Sequence, residues 1–489
     1  MPLLFLLVIL LAGVGLIMAK LPPKAIALTT ALFSLSVSLS LLLFFQSDKA
    51  GYQMVFDLPW NALPFLPNIH LHVGVDGISL PLVLLTTFVT VAAVAVSPDN
   101  IKRPAEFYIC LLLISAGAIG AFISLDLFFF FIFHEVALIP TFLLIGIWGG
   151  QNRQFASMQL TLYLTVGSLI LLAGLIALVM TMPAGSRTFD LPTLQQYFSE
   201  NPLTRHEQMP LYALLLAGFG ILVSLFPFHS WAPSGYAAAP PGAAMLHAGV
   251  LKKFGIYGLL RVALPLLPLG SMDPVIQYGL TFLLLGNILY VGMVTLAQKE
   301  LQTMLGFSSV MHMGYLFLGL LAFNTIGLSG VILLMVAHGL SSALLFGLAG
   351  EIQQRTGENR FSELGGLGKR TPFLATAFMI GSFAAIGVPG LANFPGELLI
   401  FFGAFAQFPI ATMLALWGVV LSAVYQLRAI NRIFFGDLPE RYRQVEDIQG
   451  FAHQSPYVLL MTALLLLGFM PGIVLQIAQP TIQALISQS

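Results

Sequence analysis

The sequence predicts an all-α integral membrane protein with about fourteen transmembrane helices. Of its 489 residues, 58% are hydrophobic and only 8% are charged, and the mean hydropathy is +0.93. A soluble domain carries about 25% charged residues, so this chain is not one. Apolar runs of about 20 residues, the length that crosses a bilayer, recur along the chain. We therefore expect the lipid bilayer as a partner and no nucleic acid.

These apolar runs define the expected spans. They cover residues 3–19, 25–45, 78–97, 107–124, 126–148, 157–181, 209–230, 241–264, 274–296, 300–322, 325–349, 371–406, 409–434 and 456–478. Prolines interrupt the seventh span at Pro227 and the twelfth at Pro389 and Pro395. Broken backbone is tolerated at membrane depth only where protein or a watery cavity satisfies it, so both breaks are candidate functional positions.

The distribution of basic residues orients these spans. Most of the 20 lysines and arginines follow odd-numbered spans, whereas only Lys49, Arg187 and Arg205 follow even-numbered ones. The excess of positive charge marks the cytoplasmic side, so both termini are expected on the opposite side.

The two broken spans lie five spans apart, which is typical of inverted repeats. We expect helices 1–3 in residues 1–106, a first five-helix repeat in 107–264, a second, inverted repeat in 265–434, and helix 14 in 435–489.

The chain offers little that could hold a cofactor. Its one cysteine, Cys110, excludes an internal disulfide and a cysteine-ligated cluster within the chain. No glycine-rich phosphate loop follows a predicted strand. We expect no cofactor and no metal in this chain.

Glu135 is the first candidate for proton transfer. Phe128, Phe129, Phe130 and Phe131 precede it, and it lies roughly 12 Å inside the apolar run that begins at Leu127. A carboxylate at that depth costs at least a few kcal/mol and usually serves a function. The alternative is a protonated acid that bonds a backbone carbonyl and joins two helices.

Lys252 and Lys253 lie in the middle of the eighth span, about ten residues from either end. Adjacent side chains on a helix point about 100° apart, so the two amines face different directions. A buried lysine readily takes part in reversible protonation, and we expect this role for at least one of them. The alternative is that one of them extends to the interface.

Glu397 follows the break in the twelfth span, where unwound backbone would admit water. Its alternative role is a capping carboxylate at the start of the second half-helix. Capping also explains Asp76 and Asp126, which lie where spans begin.

Several histidines lie within apolar runs. An imidazole titrates near neutral pH and can relay a proton through its two nitrogens. His247 is favoured because it shares a helix with the lysines, and we expect less of His134 because its neighbour Glu135 should point elsewhere. The remaining candidates, which could equally be hydrogen-bonded core residues, are His229, His312 and His338.

Several motifs resemble those of the subunit M (chain 4) family of NADH-quinone oxidoreductase, respiratory complex I, whose members are antiporter-like membrane subunits. The resemblance covers about residues 70–435. It rests on GVDGISL at 74–80, FPFHSWAP at 226–233, AGVLKK at 248–253 with YGLLR at 257–261, FSSVMHMG at 307–314 with His338, and GVPG at 387–390 leading to Glu397.

This resemblance implies one proton channel, with a proton half-channel in each five-helix repeat, driven by redox chemistry in other subunits. By motif, Glu135, Lys253 and Glu397 match the family's glutamate of helix five, lysine of helix eight and glutamate of helix twelve. FMN, iron–sulfur clusters and quinone would belong to partner subunits of the membrane complex. The resemblance also implies a bacterial inner membrane, or alternatively a thylakoid membrane.

The chain departs from the family pattern around Glu135. The family's lysine of helix seven is replaced by Leu222, and its lysine of helix six by Gln159. Ser234 and Tyr236 stand where the family has Asp and His. We therefore hypothesise that Lys252 pairs with Glu135 or reaches it through His247.

Other functions remain open at this point. The chain could be a subunit of a multi-subunit Na⁺/H⁺ antiporter, of a membrane-bound hydrogenase or of a ferredoxin-linked photosynthetic complex. It could also be a structural spacer that has lost pumping.

Overall fold

Long apolar helices dominate the computed structural model, which describes residues 2–60, 69–98 and 100–487. Within these residues, eleven helices are long and apolar enough to cross a membrane, and four further apolar helices are 10–17 residues long. The chain is therefore a mostly helical integral membrane protein, as the composition predicts.

The two breaks divide the helices into three groups. Up to the first break they are α1 (Pro2–Met18), α2 (Pro23–Phe44), α3 (Ser79–Val96), α4 (Pro104–Ile123), α5 (Leu127–Trp148), α6 (Arg153–Met180), α7 (Leu191–Glu200) and α8 (Arg205–Val223). From there to the second break they are α9 (Trp231–Ala238), α10 (Pro241–Leu246), α11 (Lys253–Gly258), α12 (Leu264–Leu266), α13 (Pro268–Ser271), α14 (Pro274–Leu285), α15 (Gly292–Ala297), α16 (Leu301–Ala322), α17 (Thr325–Thr356) and α18 (Pro372–Ile386). The last are α19 (Asn393–Phe405), α20 (Pro409–Ala415), α21 (Trp417–Phe434), α22 (Phe451–Phe469) and α23 (Gly472–Ser487).

A small two-stranded antiparallel sheet, which the sequence does not predict, accompanies the otherwise helical fold. Strands β1 (Gln53–Pro59) and β2 (His70–Val75) connect α2 to α3, with Phe56 opposite Val73. The sheet packs on the connection between α4 and α5, where the Leu125 amide donates to the His72 carbonyl at 2.8 Å. We call this end of the bundle the hairpin end.

Two further elements differ from the expected spans. The last span was expected at 456–478, but α22 ends at Phe469 and α23 is a separate helix, because Pro471 lies between them. Between α6 and α8, the short helix α7 begins where the Asp190 carboxylate accepts from the Thr193 amide at 3.0 Å.

Asn287 forms hydrogen bonds with the backbone at the break between α8 and α9. Its side chain lies in a wide π-helical turn, Gly286–Val291, and is fully buried. The amide oxygen accepts from the Phe226 amide at 2.6 Å, and the amide nitrogen donates to the Ser224 and Val310 carbonyls. The side chain thus satisfies backbone groups that the interrupted helix leaves free.

The eighth expected span is one helical run that contains two π-helical segments, His247–Leu251 and Leu259–Ala263. It crosses α17 where Gly249 and Gly339 meet: a Cβ on Gly339 would lie 2.7 Å from the Gly249 carbonyl oxygen. This close approach brings Lys253 next to α17. Helices α16 and α17 are almost entirely buried and form the centre of the bundle.

Candidate functional site

Lys253 and His338 form the centre of the site. The Lys253 amine lies 3.0 Å from His338 Nδ1 and donates to the Ala248 carbonyl at 2.6 Å. Ala248 belongs to the π-helical segment, whose altered hydrogen bonding is a common feature of functional sites. The lysine is fully buried and His338 nearly so, so neither extends to a membrane interface.

Lys252 faces a different direction from Lys253, as the helical geometry predicts. Its amine donates to the Ser309 hydroxyl at 3.3 Å and lies 5.6 Å from the centre of the Tyr236 ring. That distance permits a cation–π interaction. No hydrogen bond or ion pair joins Lys252 to Glu135 in the part of the chain that the structure describes, so the hypothesis of a direct pair is wrong in this structure.

His312 connects the lysines to Glu397. Its ring centre is 5.4 Å from that of His338, and its Nε2 lies 3.9 Å from Glu397 Oε1. The same Nε2 is 2.8 Å from the Ala385 carbonyl oxygen, while Nδ1 is 2.7 Å from that of Ser308. Both His312 and His338 line a small cavity of ≈ 10 Å³, which is room for about one water.

Glu397 lies against the second helix break. Gly387 and Gly390 adopt φ of +83° and +92°, which favours glycine because a side chain there is strained. A Cβ on Gly387 would lie 2.4 Å from Glu397 Oε2. Glu397 is the fifth residue of α19 and forms no N-terminal cap there, so the capping alternative does not describe it.

His134 is a residue that sequence reasoning undervalued. Its Nδ1 lies 3.3 Å from Glu135 Oε1, because side chains of adjacent residues can turn toward each other at their tips. Its ring stacks on Phe254 with 4.0 Å between ring centres. The expectation that Glu135 points away from His134 is therefore wrong.

His247 interacts with both His134 and the lysines. Its Nδ1 is 3.2 Å from the Tyr236 hydroxyl, and Lys252, His134 and Lys253 are within electrostatic range. Tyr236 in turn lies beneath the Lys252 amine. Glu135 is thus linked to Lys252 through His134, His247 and Tyr236. The hypothesis that Lys252 reaches Glu135 through His247 therefore stays a prediction.

Seven of the eight predicted residues are linked by contacts, with electrostatic interactions alone between His134 and His247 and between Lys252 and Lys253. We call this group the titratable row: Glu135, His247, Lys252, Lys253, His338, His312 and Glu397, joined by the newly found His134 and Tyr236. His229 lies beside the row. Its ring stacks on Phe226 at 5.7 Å between ring centres, and Lys252 is within electrostatic range.

Neutral side chains occupy the positions where the family's motif has lysine, Asp and His. The Ser234 hydroxyl donates to Gln159 Oε1 at 2.6 Å, and Gln159 Nε2 donates to Ser230 at 3.2 Å. Leu222 is buried in the apolar core. These positions therefore supply no cation to Glu135.

A buried ion pair between an arginine and an aspartate lies outside the row, near the hairpin end. Arg261 pairs with Asp76, and its guanidinium lies 5.2 Å from the Tyr52 ring centre and 5.5 Å from that of Tyr257. Asp76 also accepts from the Ser79 amide at 3.0 Å, so capping was a correct but incomplete interpretation. Nothing in the spacing of the two residues indicates the pair.

The fold and the titratable row define a class: a membrane protein of many spans whose acids, amines and imidazoles cross the bundle inside apolar helices. A sequence model of the family described as NADH:quinone oxidoreductase/Mrp antiporter, transmembrane, matches residues 124–423. The chain belongs to this family.

Individual relatives agree with this assignment. NADH-quinone oxidoreductase subunit M of Rickettsia bellii is 33% identical over 469 residues, which cover 94% of this chain and 91% of that protein. F(420)H(2) dehydrogenase subunit M of Methanosarcina mazei is 35% identical over 462 residues, covering 94% and 92%. A chain of respiratory complex I from Thermus thermophilus superposes with a TM-score of 0.90 at 30% identity, covering 100% and 99%.

Proposed function

We propose that the chain is a proton-translocating, antiporter-like subunit of the membrane arm of NADH-quinone oxidoreductase. The observation that carries the proposal is the titratable row from Glu135 to Glu397. Buried ionisable groups within membrane spans are costly and typically mark proton or ion paths. Electron transfer would take place in other subunits, which would hold FMN, iron–sulfur clusters and quinone, and would drive the protons through this one.

The distances in the row suit stepwise proton transfer. Direct transfer requires about 2.6–3.2 Å between heavy atoms, and the Lys253–His338 separation of 3.0 Å meets that requirement. The 3.9 Å between His312 and Glu397 requires either a small movement or a bridging water. The break beside Glu397 provides a part of the backbone that can adjust.

The helix positions support the expected architecture of two inverted repeats. Each of the fourteen expected spans overlaps one or more helices, and the two breaks lie between α8 and α9 and between α18 and α19. We infer inverted repeats in 107–264 and 265–434, with both termini and the hairpin end outside the cytoplasm. The membrane would be the inner membrane of a bacterium, or alternatively a thylakoid.

Proton stoichiometry of the assembled complex tests the proposal. Lys253→Met removes the central amine and should lower the number of protons moved per electron pair by the share of one channel. Lys369→Met, at the exposed end of the short 3-10 helix Leu367–Lys369, is the matched control and should leave the number unchanged. Equal stoichiometry in both variants would contradict a role for the row.

Lys252→Met distinguishes the role of Lys252 from that of Lys253. If Lys252 has taken over from the missing lysine of helix seven, this variant should lose the same protons as Lys253→Met. A normal stoichiometry in Lys252→Met alone would assign transfer to Lys253. If neither variant changes the stoichiometry, the chain is a structural spacer.

A subunit of a multi-subunit Na⁺/H⁺ antiporter is the second candidate. The matching family includes Mrp antiporters by its own description. Purification from native membranes distinguishes the two: flavin and iron–sulfur subunits in the preparation favour the first function, and Na⁺-dependent proton exchange without them favours the second.

A further inference from the structure

The carboxylate of Glu135 lies at the outer surface of this chain, not in its interior. Its side chain is 34% exposed, whereas that of Glu397 is 5% exposed. Within the described residues, the one ion-pair partner found for Glu135 is His134, which contacts a single carboxylate oxygen. The positions that supply lysines in the family hold Leu222 and Gln159 in this chain.

The exposed carboxylate opens into a groove between α5 and α6. The groove has a volume of ≈ 120 Å³ and is lined by Glu135, Leu138, Ile139, Phe142, Leu160, Thr161, Leu164 and Thr165. The Thr161 hydroxyl is buried and has no hydrogen-bond partner in the described part of the chain. A carboxylate with hydroxyls beside it is a polar patch at membrane depth.

The two helices that form this groove each carry a stripe of exposed apolar residues at helical spacing. One follows α5 and the other follows α6, and their members are Ile132, Val136, Ile139 and Leu143, and Met158, Leu162, Val166 and Leu169. A transmembrane helix could pack its side chains between these stripes. Acyl chains could also cover the apolar stripes, but they offer nothing to a carboxylate.

The energy decides between these two occupants. A charged group that faces hydrocarbon near the bilayer centre costs at least about 2.5–3.5 kcal/mol, and such groups usually pair with one another or face water. A basic group opposite Glu135 removes this cost and adds a charge-assisted hydrogen bond. The absence of a lysine at positions 222 and 159 and the exposure of the Glu135 carboxylate therefore both favour a neighbouring helix that carries a basic residue.

We propose that the groove between α5 and α6 docks a transmembrane helix of a neighbouring subunit that places a lysine, arginine or histidine against Glu135. The cation absent from position 222 is thus supplied by another chain. This inference rests on the proposed function only in that the chain works inside a multi-subunit membrane assembly. Glu135 then joins the titratable row of this chain to the neighbour.

Photo-crosslinking in the assembled complex identifies the occupant without any measurement of proton transport. A benzophenone amino acid replaces Ile139, which lines the groove on α5, or Leu162, which follows the groove residue Thr161 on α6; the two positions are 65% and 58% exposed. Both sites should capture the same apolar segment of one neighbouring subunit, and that segment should contain a basic residue. A third site at Val420 on α21, which packs against α15 and α18, is the control and should not capture it.

Several results would overturn the proposal: adducts with lipid alone, capture of a segment without a basic residue, or capture of the same segment at Val420. Replacing the captured basic residue with methionine provides the second test. That variant should lose as much coupled activity as Glu135→Gln, and the two changes together should lose no more than either alone. Additive losses would show that the residues act independently.

Discussion

Gly387→Ala tests whether the position of the Glu397 carboxylate matters. Gly387 has a φ of +83°, and a Cβ added to it would lie 2.4 Å from Glu397 Oε2. The carboxylate would have to move by about 1 Å to reach ordinary contact distance. It is the flexible end of a side chain, so it moves more easily than the backbone around it.

The expected loss has two parts. An alanine in the left-handed region costs about 1–2 kcal/mol of stability. A displacement of about 1 Å in a transfer group can cost up to about 100-fold in rate. Gly390→Ala is the matched control, because its φ is +92° and its Cβ would meet the edge of the Phe469 ring at 3.2 Å, not the carboxylate.

Fluorescence quenching by a pH-sensitive dye reports proton uptake into vesicles that contain the assembled complex. We expect both variants to melt at a lower temperature by a similar amount, but only Gly387→Ala to lose proton uptake strongly per quinone reduced. Equal proton uptake in the two variants would refute the reasoning, since they share the backbone strain and differ in the contact with Glu397.

Two further predictions concern the hairpin end. His72 Nδ1 lies 2.5 Å from Asp190 Oδ1. Burial alone would lower the pKa of His72, but the hydrogen bond to Asp190 and its charge raise that pKa overall. Burial alone would raise the pKa of Asp190, but its hydrogen bonds with His72 and Thr193 lower that pKa overall. The raised histidine pKa contributes stability below about 6.5 that is lost as pH rises through the folded-state value, and the lowered aspartate pKa contributes stability above about 3.9 that is lost at lower pH. His72→Gln should therefore speed hydrogen exchange of the hairpin most between about pH 4 and 6.5, and an effect that grows above pH 8 would contradict this. Arg261→Met should destabilise the complex by about 3–5 kcal/mol because it leaves Asp76 buried and unpaired; Arg261→Met with Asp76→Leu should recover much of the loss in thermal unfolding, and a double variant as unstable as the single one would count against the pair.

The buried lysines and Glu397 could be predicted because their surroundings are unambiguous. Lys252 and Lys253 lie far from both ends of one apolar run, and Glu397 follows a run of prolines and glycines that ends a helix. Depth in the membrane depends on position along the chain, which a sequence shows directly.

The direction of each side chain could not be predicted in the same way. The segment His247–Leu251 has π-helical turns, and one extra residue rotates the following helix by about 100°. Lys252 consequently faces Ser309 and Tyr236, where a regular helix would turn it elsewhere. No propensity in the sequence marks such a turn.

The exposure of the Glu135 side chain could not be predicted from the sequence either. Helix α5 is apolar on all its faces, so no amphipathic pattern shows which side points out of the bundle. In a membrane protein both the lipid and the core are apolar, and the usual distinction between inside and outside is lost. The hairpin of β1 and β2 was missed for a simpler reason: its two short strands lie in a connection that the span pattern leaves unassigned.

Infrared difference spectroscopy of the working complex tests the central claim most directly, because it records protonation of carboxyl groups during turnover. The account predicts a change in the C=O stretch of a protonated carboxylic acid when electron donor is added. That signal should disappear in Glu397→Gln and persist in Glu363→Gln, an exposed acid that pairs with Arg441 at the surface. An unchanged carboxyl signal in Glu397→Gln would show that this side chain does not carry protons.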